Sequence, residues 1–203
     1  MDDFLPVRNP LLIVLSGPSG VGKDSVIREL KRSFEEVHYA VTATTRPRRQ
    51  DEIPGSSYFF VTEGEYRSFL DRGELLAPAR VHGYWYGAPL APLRSALRDG
   101  QDVLLKLDVQ GAIQVRRCLP QATFIFLAPS SMAELLQRLR CRSTESSEDL
   151  EQRMKDARFE MEQMPCYDYV VVNGEDDLPA TVASVSCIIA AERLRVHRQR
   201  LTL

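Results

Sequence analysis

A glycine-rich loop between a strand and a helix constrains this chain more than any other feature. Residues 11–15 read LLIVL, a run typical of a buried strand, and residues 16–23 continue as SGPSGVGK before an amphipathic segment. This is the G-x-x-x-x-G-K spacing of a phosphate-binding P-loop. Its glycines let backbone N–H groups converge on phosphate oxygens, while the helix start and the lysine add positive charge. The sequence predicts a triphosphate site formed by Gly17, Pro18, Ser19, Gly20, Val21, Gly22, Lys23, Asp24 and Ser25.

The residue after the lysine departs from the usual P-loop pattern. Most such loops carry Ser or Thr there, whose hydroxyl binds Mg²⁺, whereas this chain has Asp24 followed by Ser25. A carboxylate is a suitable oxygen ligand for Mg²⁺, so Asp24 is a candidate metal ligand. The alternative is that Asp24 only stabilises the start of the helix through its charge.

Short apolar runs alternate with helical patterns along the rest of the chain. The runs predict strands at 37–44, 57–61, 102–108, 122–127 and 167–172, and the helical patterns lie at 25–34, 64–71, 89–98, 110–118, 131–141, 147–163 and 177–197. Continuous apolar strands that alternate with helices are typical of a parallel sheet covered on both faces. The sequence therefore predicts one α/β domain of three layers over residues 1–203.

Two segments interrupt this alternation. Residues 37–88 combine strand-like pieces, tyrosines and turn residues, which predicts a small inserted β-rich subdomain that binds the acceptor. Residues 138–163 are polar and rich in Arg and Glu, which predicts a helical lid. The predicted core then comprises residues 8–36, 89–137 and 164–198.

Composition narrows the class of partner. The chain has 203 residues and a formal net charge of −2, so no overall basic field attracts nucleic acid. No apolar run is long enough to span a membrane, and the acidic N-terminal residues do not resemble a targeting peptide. The cysteines are dispersed without a C-x-x-C pair, which indicates reduced thiols. We therefore expect a cytoplasmic protein that binds small molecules, whereas its oligomeric state cannot be read from the sequence.

A second candidate anion site follows the first predicted strand of the insert. Residues 42–49 read TATTRPRR, and Pro47 favours an extended or turning backbone that lets Arg46 and Arg49 converge on one anion. Nearby hydroxyls and Tyr58 would complete a pocket for a phosphate dianion. The alternative is a solvated basic turn. A P-loop together with a second anion pocket indicates phosphoryl transfer between two phosphorylated molecules.

Further charged residues lie in the predicted lid and at the end of a core strand. Arg138, Arg142 and Arg153 would neutralise phosphate charge when the lid closes, or they form Glu–Arg pairs on a helix face. Asp108 follows a buried strand, where polar side chains line the ligand crevice of open α/β sheets. It either orients the substrate or caps the next helix.

Taken together, these motifs resemble the guanylate kinase family of P-loop nucleoside monophosphate kinases over residues 12–195. The motifs that carry the resemblance are GPSGVGK, TATTR-x-x-R, G-x-x-YFFV at 55–61, G-x-x-YG at 83–87, LDVQG at 107–111 and DYVVVN at 168–173. The GKDS loop and the LLKLDVQG segment are most similar to the bacterial and plastid branch of that family.

The resemblance implies transfer of a phosphoryl group from ATP to GMP with the help of Mg²⁺. It implies that Lys23, Arg138, Arg142 and Arg153 are catalytic and that Asn173 lies by the donor base. It also implies an acceptor pocket formed by Thr42, Arg46, Arg49, Tyr58, Tyr86 and Asp108.

Two departures concern the guanine-binding pocket. The family places a Glu nine residues before the Tyr of its YG pair and a Ser or Thr after that Gly, and this chain has Ala77 and Ala88. A kinase of another phosphomonoester, such as ribose 1,5-bisphosphate, is one alternative. A non-catalytic guanylate-kinase-like binding module is another, and the intact loop from Gly17 to Lys23 argues against it.

Overall fold

The computed structural model describes residues 9–50, 52–81, 83–142, 147–175, 177–196, 201 and 203 of this chain, with the side chains of 141, 142 and 147–151 excepted. The strands are β1 (Leu12–Ser16), β2 (His38–Ala40), β3 (Ala43–Thr44), β4 (Phe59–Phe60), β5 (Leu75–Val81), β6 (Tyr84–Pro89), β7 (Val103–Lys106), β8 (Thr123–Ala128) and β9 (Tyr169–Val172). The helices are α1 (Lys23–Ser33), α2 (Glu63–Asp71), α3 (Leu90–Arg98), α4 (Val109–Cys118), α5 (Met132–Arg142), α6 (Ser147–Glu162) and α7 (Leu178–Arg193).

A parallel sheet in the order β2-β7-β1-β8-β9 lies at the centre of the fold. Its middle strand, β1, is completely buried, and its side chains alternate between the two faces of the sheet. Ile13 and Leu15 pack with residues of α1, α5 and α7, whereas Leu12 and Val14 pack with residues of α3 and α4. The predicted three-layer α/β fold is confirmed.

A smaller sheet in the order β4-β3-β6-β5 lies between β2 and α3 in the chain. The sequence prediction of one strand over 37–44 is wrong, because β2 joins the parallel sheet and β3 joins the smaller one. The small helix α2 covers this sheet through Tyr66, which is buried and donates a hydrogen bond from its hydroxyl to the Tyr86 carbonyl at 2.8 Å.

The helix α5 belongs to the packed core for most of its length. Leu135 and Leu139 are buried in the same apolar cluster as Ile13 and Leu15, so the expected lid boundary at residue 138 falls within a packed helix. No helix within the described ranges combines the length and the apolar character that a membrane span requires.

Candidate active site

The P-loop connects β1 to α1 with a backbone that favours glycine at three positions, and the closest contacts are at Gly17 and Gly22. Gly17 has a φ of +141° and Gly22 a φ of +99°. A Cβ atom on Gly17 would lie 2.2 Å from the Leu127 carbonyl oxygen, and one on Gly22 would lie 2.5 Å from Asn173 Nδ2. The loop therefore depends on glycine for its close approach to β8 and to Asn173, as well as for its exposed amides.

Lys23 is the first residue of α1 and curls back over the loop. Its Nζ atom donates hydrogen bonds to the carbonyl oxygens of Gly17 at 2.5 Å and Pro18 at 3.1 Å. Burial lowers the pKa of this ammonium group, and nearby Glu160 and Asp24 offset part of that effect. The charge thus lies at the mouth of the loop, where a triphosphate would bind.

Glu160 in α6 is a residue of this site that the sequence analysis missed. One of its carboxylate oxygens accepts the Ser19 backbone N–H of the P-loop at 3.2 Å. Burial raises the pKa of this carboxyl, which the charge of Lys23 only partly offsets. The carboxylate therefore binds a backbone N–H group of the P-loop that is also suited to bind a phosphate oxygen. Because Glu160 is 141 residues from Ser19 in the chain, no local pattern signals the contact.

Asn173 and Arg138 hold the outer side of the P-loop. Asn173 donates from its amide to the Val21 carbonyl at 2.7 Å and accepts the Thr181 hydroxyl at 3.0 Å. Arg138 donates to the carbonyls of Val21 at 3.1 Å and Asn173 at 3.0 Å, and it pairs with Glu134. Both residues line a cavity of about 450 Å³ beside the loop. Arg138 therefore forms a Glu–Arg pair, as in the alternative expected for it, but its partner Glu134 is a buried residue of α5.

Arg46 lies in a pocket, whereas Arg48 and Arg49 on the turn that follows are exposed. Its guanidinium pairs with Glu52 at 2.6 Å, and these side chains are only 12% and 13% exposed. The other Glu52 oxygen accepts the Arg49 backbone N–H at 2.8 Å. Both interactions lower the pKa of Glu52 despite its burial. Glu52, which the sequence analysis also missed, fixes the turn that carries Arg46 and Arg49.

Two aromatic rings complete this pocket. The Tyr58 and Tyr86 rings meet edge to face with their centroids 6.1 Å apart, and the Arg46 guanidinium carbon lies 5.5 Å from the Tyr58 ring centroid. Thr42 is buried at the edge of the same pocket. The predicted acceptor residues are therefore close together.

The P-loop and this pocket open into one cavity of about 810 Å³. The predicted site residues that line it are Ser19, Gly20, Val21, Gly22, Lys23, Asp24, Thr42, Arg46, Arg49, Tyr58, Tyr86, Asp108 and Arg153. Asp108 also caps α4, because its carboxylate accepts the Gly111 N–H at 2.6 Å. The side chain of Arg142 lies outside the described residues.

The strand β5 supplies an apolar wall to the same cavity through Ala77, Ala79 and Val81. Ala77 has a φ of +51° at an irregularity in the pairing of β5 with β6. Ala88 is completely buried in an apolar cluster with Leu76 and Ala77. Of the two positions where the resemblance implies polar groups, Ala77 contributes to the cavity wall and Ala88 to the core.

The residues at the start of α1 are chemically suited to a magnesium ion that arrives with ATP. No three His, Cys, Asp or Glu residues cluster as metal ligands in the described part of the chain. Mg²⁺ in kinases, however, needs only one or two protein oxygens because the nucleotide phosphates and water supply the rest. Asp24 and Ser25 offer such oxygens, although Asp24 accepts a hydrogen bond from Lys106 at 2.6 Å.

Comparison with known proteins places this site in a family. The sequence model of the guanylate kinase family matches residues 9–192. The chain is 42% identical over 203 residues to guanylate kinase 2, chloroplastic/mitochondrial, of Oryza sativa subsp. japonica, covering 100% of this chain and 71% of that protein. It is 43% identical over 189 residues to the guanylate kinase of Desulfitobacterium hafniense, covering 93% and 94%.

A solved structure supports the same family assignment. The crystal structure of guanylate kinase from Anaplasma phagocytophilum superposes with a TM-score of 0.80 at 32% identity, and the match covers 96% of this chain and 92% of that one. The sequence similarity thus extends over the P-loop, the acceptor pocket and the whole core. The chain belongs to the guanylate kinase family.

Proposed function

We propose that this protein transfers the γ-phosphoryl group of ATP to GMP, forming ADP and GDP. The observation that carries the proposal is the single cavity shared by the P-loop with Lys23 and the Arg46–Glu52–Tyr58 pocket. Such a cavity holds two phosphorylated molecules with their phosphates facing each other. The family relationship supports ATP and GMP as those molecules.

Catalysis then consists of positioning and charge stabilisation. An oxygen of the GMP phosphate forms a bond to the γ-phosphorus of ATP, while the bond from that phosphorus to the β–γ bridging oxygen breaks and ADP leaves. No protein nucleophile or general base takes part, because the attacking oxygen is already ionised. Lys23 and Arg153 stabilise the charge on the transferring group, and Arg46 and Arg49 hold the acceptor. Bound Mg²⁺ would supply further neutralising charge at the start of α1, where the Ser25 hydroxyl offers an oxygen ligand and Asp24 pairs with Lys106.

The division into regions is part of the proposal. We assign residues 8–36, 89–137 and 164–198 to the core, 37–88 to acceptor binding and 138–163 to a lid, except that β2 and the part of α5 up to Leu139 pack with the core. The contact of Glu160 in α6 with the P-loop supports a lid that covers the donor site. We also propose a cytoplasmic location, which the exposed free thiols of Cys118, Cys166 and Cys187 favour.

The alternatives have less support. None of the relatives reported above is named as a kinase of ribose 1,5-bisphosphate or as a scaffold protein. The intact P-loop geometry and the lysine at its mouth also argue against a module that has lost ATP binding.

The decisive experiment is an ADP-release assay with GMP, AMP and ribose 1,5-bisphosphate as acceptors. We expect GMP to be phosphorylated, and Lys23→Ala to lower kcat by roughly 100-fold or more because one charge on the transferring group is lost. Lys31→Ala, which removes an exposed lysine of the same helix, is the matched control. Near-normal turnover in a folded Lys23→Ala protein would exclude this mechanism.

A further inference from the structure

Lys106 ends the strand β7 directly beside the P-loop. It pairs in register with Leu15 of β1, the strand that leads into the loop. Because strand side chains alternate, Lys106 shares a face with Leu104, which packs in the apolar cluster containing Val26 and Leu30 of α1. The lysine side chain is thus directed over the first turn of α1.

The Lys106 ammonium group connects the donor loop with the acceptor pocket. Its Nζ atom donates to Asp24 Oδ1 at 2.6 Å and lies 4.3 Å from the centroid of the Tyr58 ring. Arg46 contacts the same ring. Lys106 and Arg46 therefore both lie near the Tyr58 ring, and Lys106 also contacts Asp24 beside the P-loop.

A contribution to fold stability does not explain why the Lys106 side chain is buried. The Lys106 side chain is 14% exposed, whereas its partner Asp24 is 70% exposed. An ion pair with an exposed partner contributes little to stability, and burying an ammonium group is costly. The Lys106 side chain lines the cavity where two anions would meet, so its ammonium charge faces their binding region.

We propose that Lys106 binds the phosphate of the acceptor phosphomonoester where it faces the donor, and that Asp24 is the positioning residue of Lys106. The proposal rests on the proposed function for its phosphoryl-transfer step. The bond from the acceptor oxygen to the γ-phosphorus forms as the bond to ADP breaks, and no proton moves. Lys106 stays protonated throughout and offsets the repulsion between the two phosphates.

The first test compares Lys106→Met, Lys106→Arg and the control Lys31→Met at saturating Mg²⁺. Lys31 also lies over a tyrosine ring, at 5.4 Å from the Tyr39 centroid, but on the exposed surface of α1. Loss of one charge-assisted contact should raise the GMP KM about 10-fold and lower kcat about 10-fold in Lys106→Met. The ATP KM should stay within about twofold, Lys106→Arg should recover most of the loss and Lys31→Met should match the parent.

The second test concerns Asp24. If Asp24 positions Lys106, Asp24→Asn should raise the GMP KM, and the double variant with Lys106→Met should be no worse than Lys106→Met alone. The Mg²⁺ concentration for half-maximal activity should not change. A shift in that concentration without an effect on GMP would instead make Asp24 a metal ligand and overturn its positioning role.

A binding measurement separates this proposal from the proposed function. Ribose 5-phosphate, a phosphomonoester without a base, should raise the Tm of the parent and of Lys31→Met, and raise that of Lys106→Met much less. A parent that does not phosphorylate GMP would overturn the proposed function, and this Tm comparison would still decide the role of Lys106. Equal Tm shifts in the parent and Lys106→Met, or a loss of ATP binding alone, would overturn the proposal. If Lys106→Met does not fold, Lys106→Gln provides the same comparison.

Discussion

Ala77 combines a cavity-facing position with an unusual backbone conformation. Its φ of +51° lies in the left-handed region, which costs a residue with a Cβ atom about 1–2 kcal/mol. A larger side chain at this position adds no further backbone cost, because alanine already has that Cβ atom. The cavity beside Ala77 is lined by Ala79 and Val81, so a new side chain meets an apolar wall and the bound acceptor.

We therefore expect Ala77→Glu to strengthen recognition of guanine. The added carboxylate would accept N–H groups of the guanine edge, which adenine does not offer, and kcat/KM for GMP relative to AMP should rise about 10-fold. Steady-state kinetics with both acceptors measure this ratio.

Ala77→Gln is the matched control for this substitution, because its amide has the same shape but one acceptor oxygen in place of two. No gain in Ala77→Glu would show that the acceptor base does not reach position 77, whereas the same gain in both variants would show that the second carboxylate oxygen is not used. Ala88→Ser is a poorer choice, because it would place a hydroxyl in the apolar cluster around Ala88.

Among the elements, α6 is joined to the P-loop by a carboxylate. Glu160 accepts the Ser19 amide at 3.2 Å, close to the Lys23 ammonium group. ATP phosphates would need the same region of the loop, so binding of ATP requires Glu160 to move or to be protonated. The raised pKa of this carboxyl means that its ionised form is less favourable in the folded protein than in the unfolded chain.

This pKa shift predicts a pH-dependent effect of Glu160→Gln on stability. Below the ordinary carboxyl pKa of 4.5, Glu160 is protonated in both states and carries no penalty. As the pH rises, the unfolded chain loses this proton first, so the parent loses stability until the folded-state pKa is passed. Glu160→Gln has no such penalty, and its Tm should exceed that of the parent by a margin that grows above pH 4.5.

Thermal melts between pH 4 and pH 8 test this effect, with Glu162→Gln as the control because Glu162 is an exposed residue of the same helix. A constant Tm difference, or a parent that is more stable at neutral pH, would show that the contact with the loop is net favourable.

At the scale of the whole molecule, local patterns predicted the elements better than the contacts between them. The strand–loop–helix pattern gave the P-loop, and apolar runs gave the parallel sheet, because both depend on neighbouring residues. Glu160 and Lys106 contact the loop across 141 and 82 residues, so their roles depend on how the chain folds back on itself. The role of Asp108 was partly predictable, because the local sequence allowed two alternatives and the cap of α4 was one of them.

The charges of the molecule are nearly balanced overall but concentrated at the site. The chain has 26 Lys and Arg against 28 Asp and Glu, a net charge of −2. The cationic residues that line the main cavity are Lys23, Arg46, Arg48, Arg49, Lys106 and Arg153. Its acidic lining residues are Asp24, Asp108 and Glu160. Attraction of anionic substrates therefore depends on this local excess of positive charge and not on the overall charge.

This distribution predicts that salt weakens substrate binding. The Debye length falls from about 10 Å at 0.1 M salt to about 3 Å at 1 M, so interactions across a solvent-filled cavity are progressively screened. We expect the GMP KM to rise severalfold between roughly 0.1 M and 1 M KCl at saturating MgATP. Lys106→Met should show a shallower dependence than Lys31→Met, because it removes a cation of the cavity rather than of the exposed surface. A GMP KM that does not change with salt, or identical slopes for the two variants, would show that the cavity cations do not attract the acceptor.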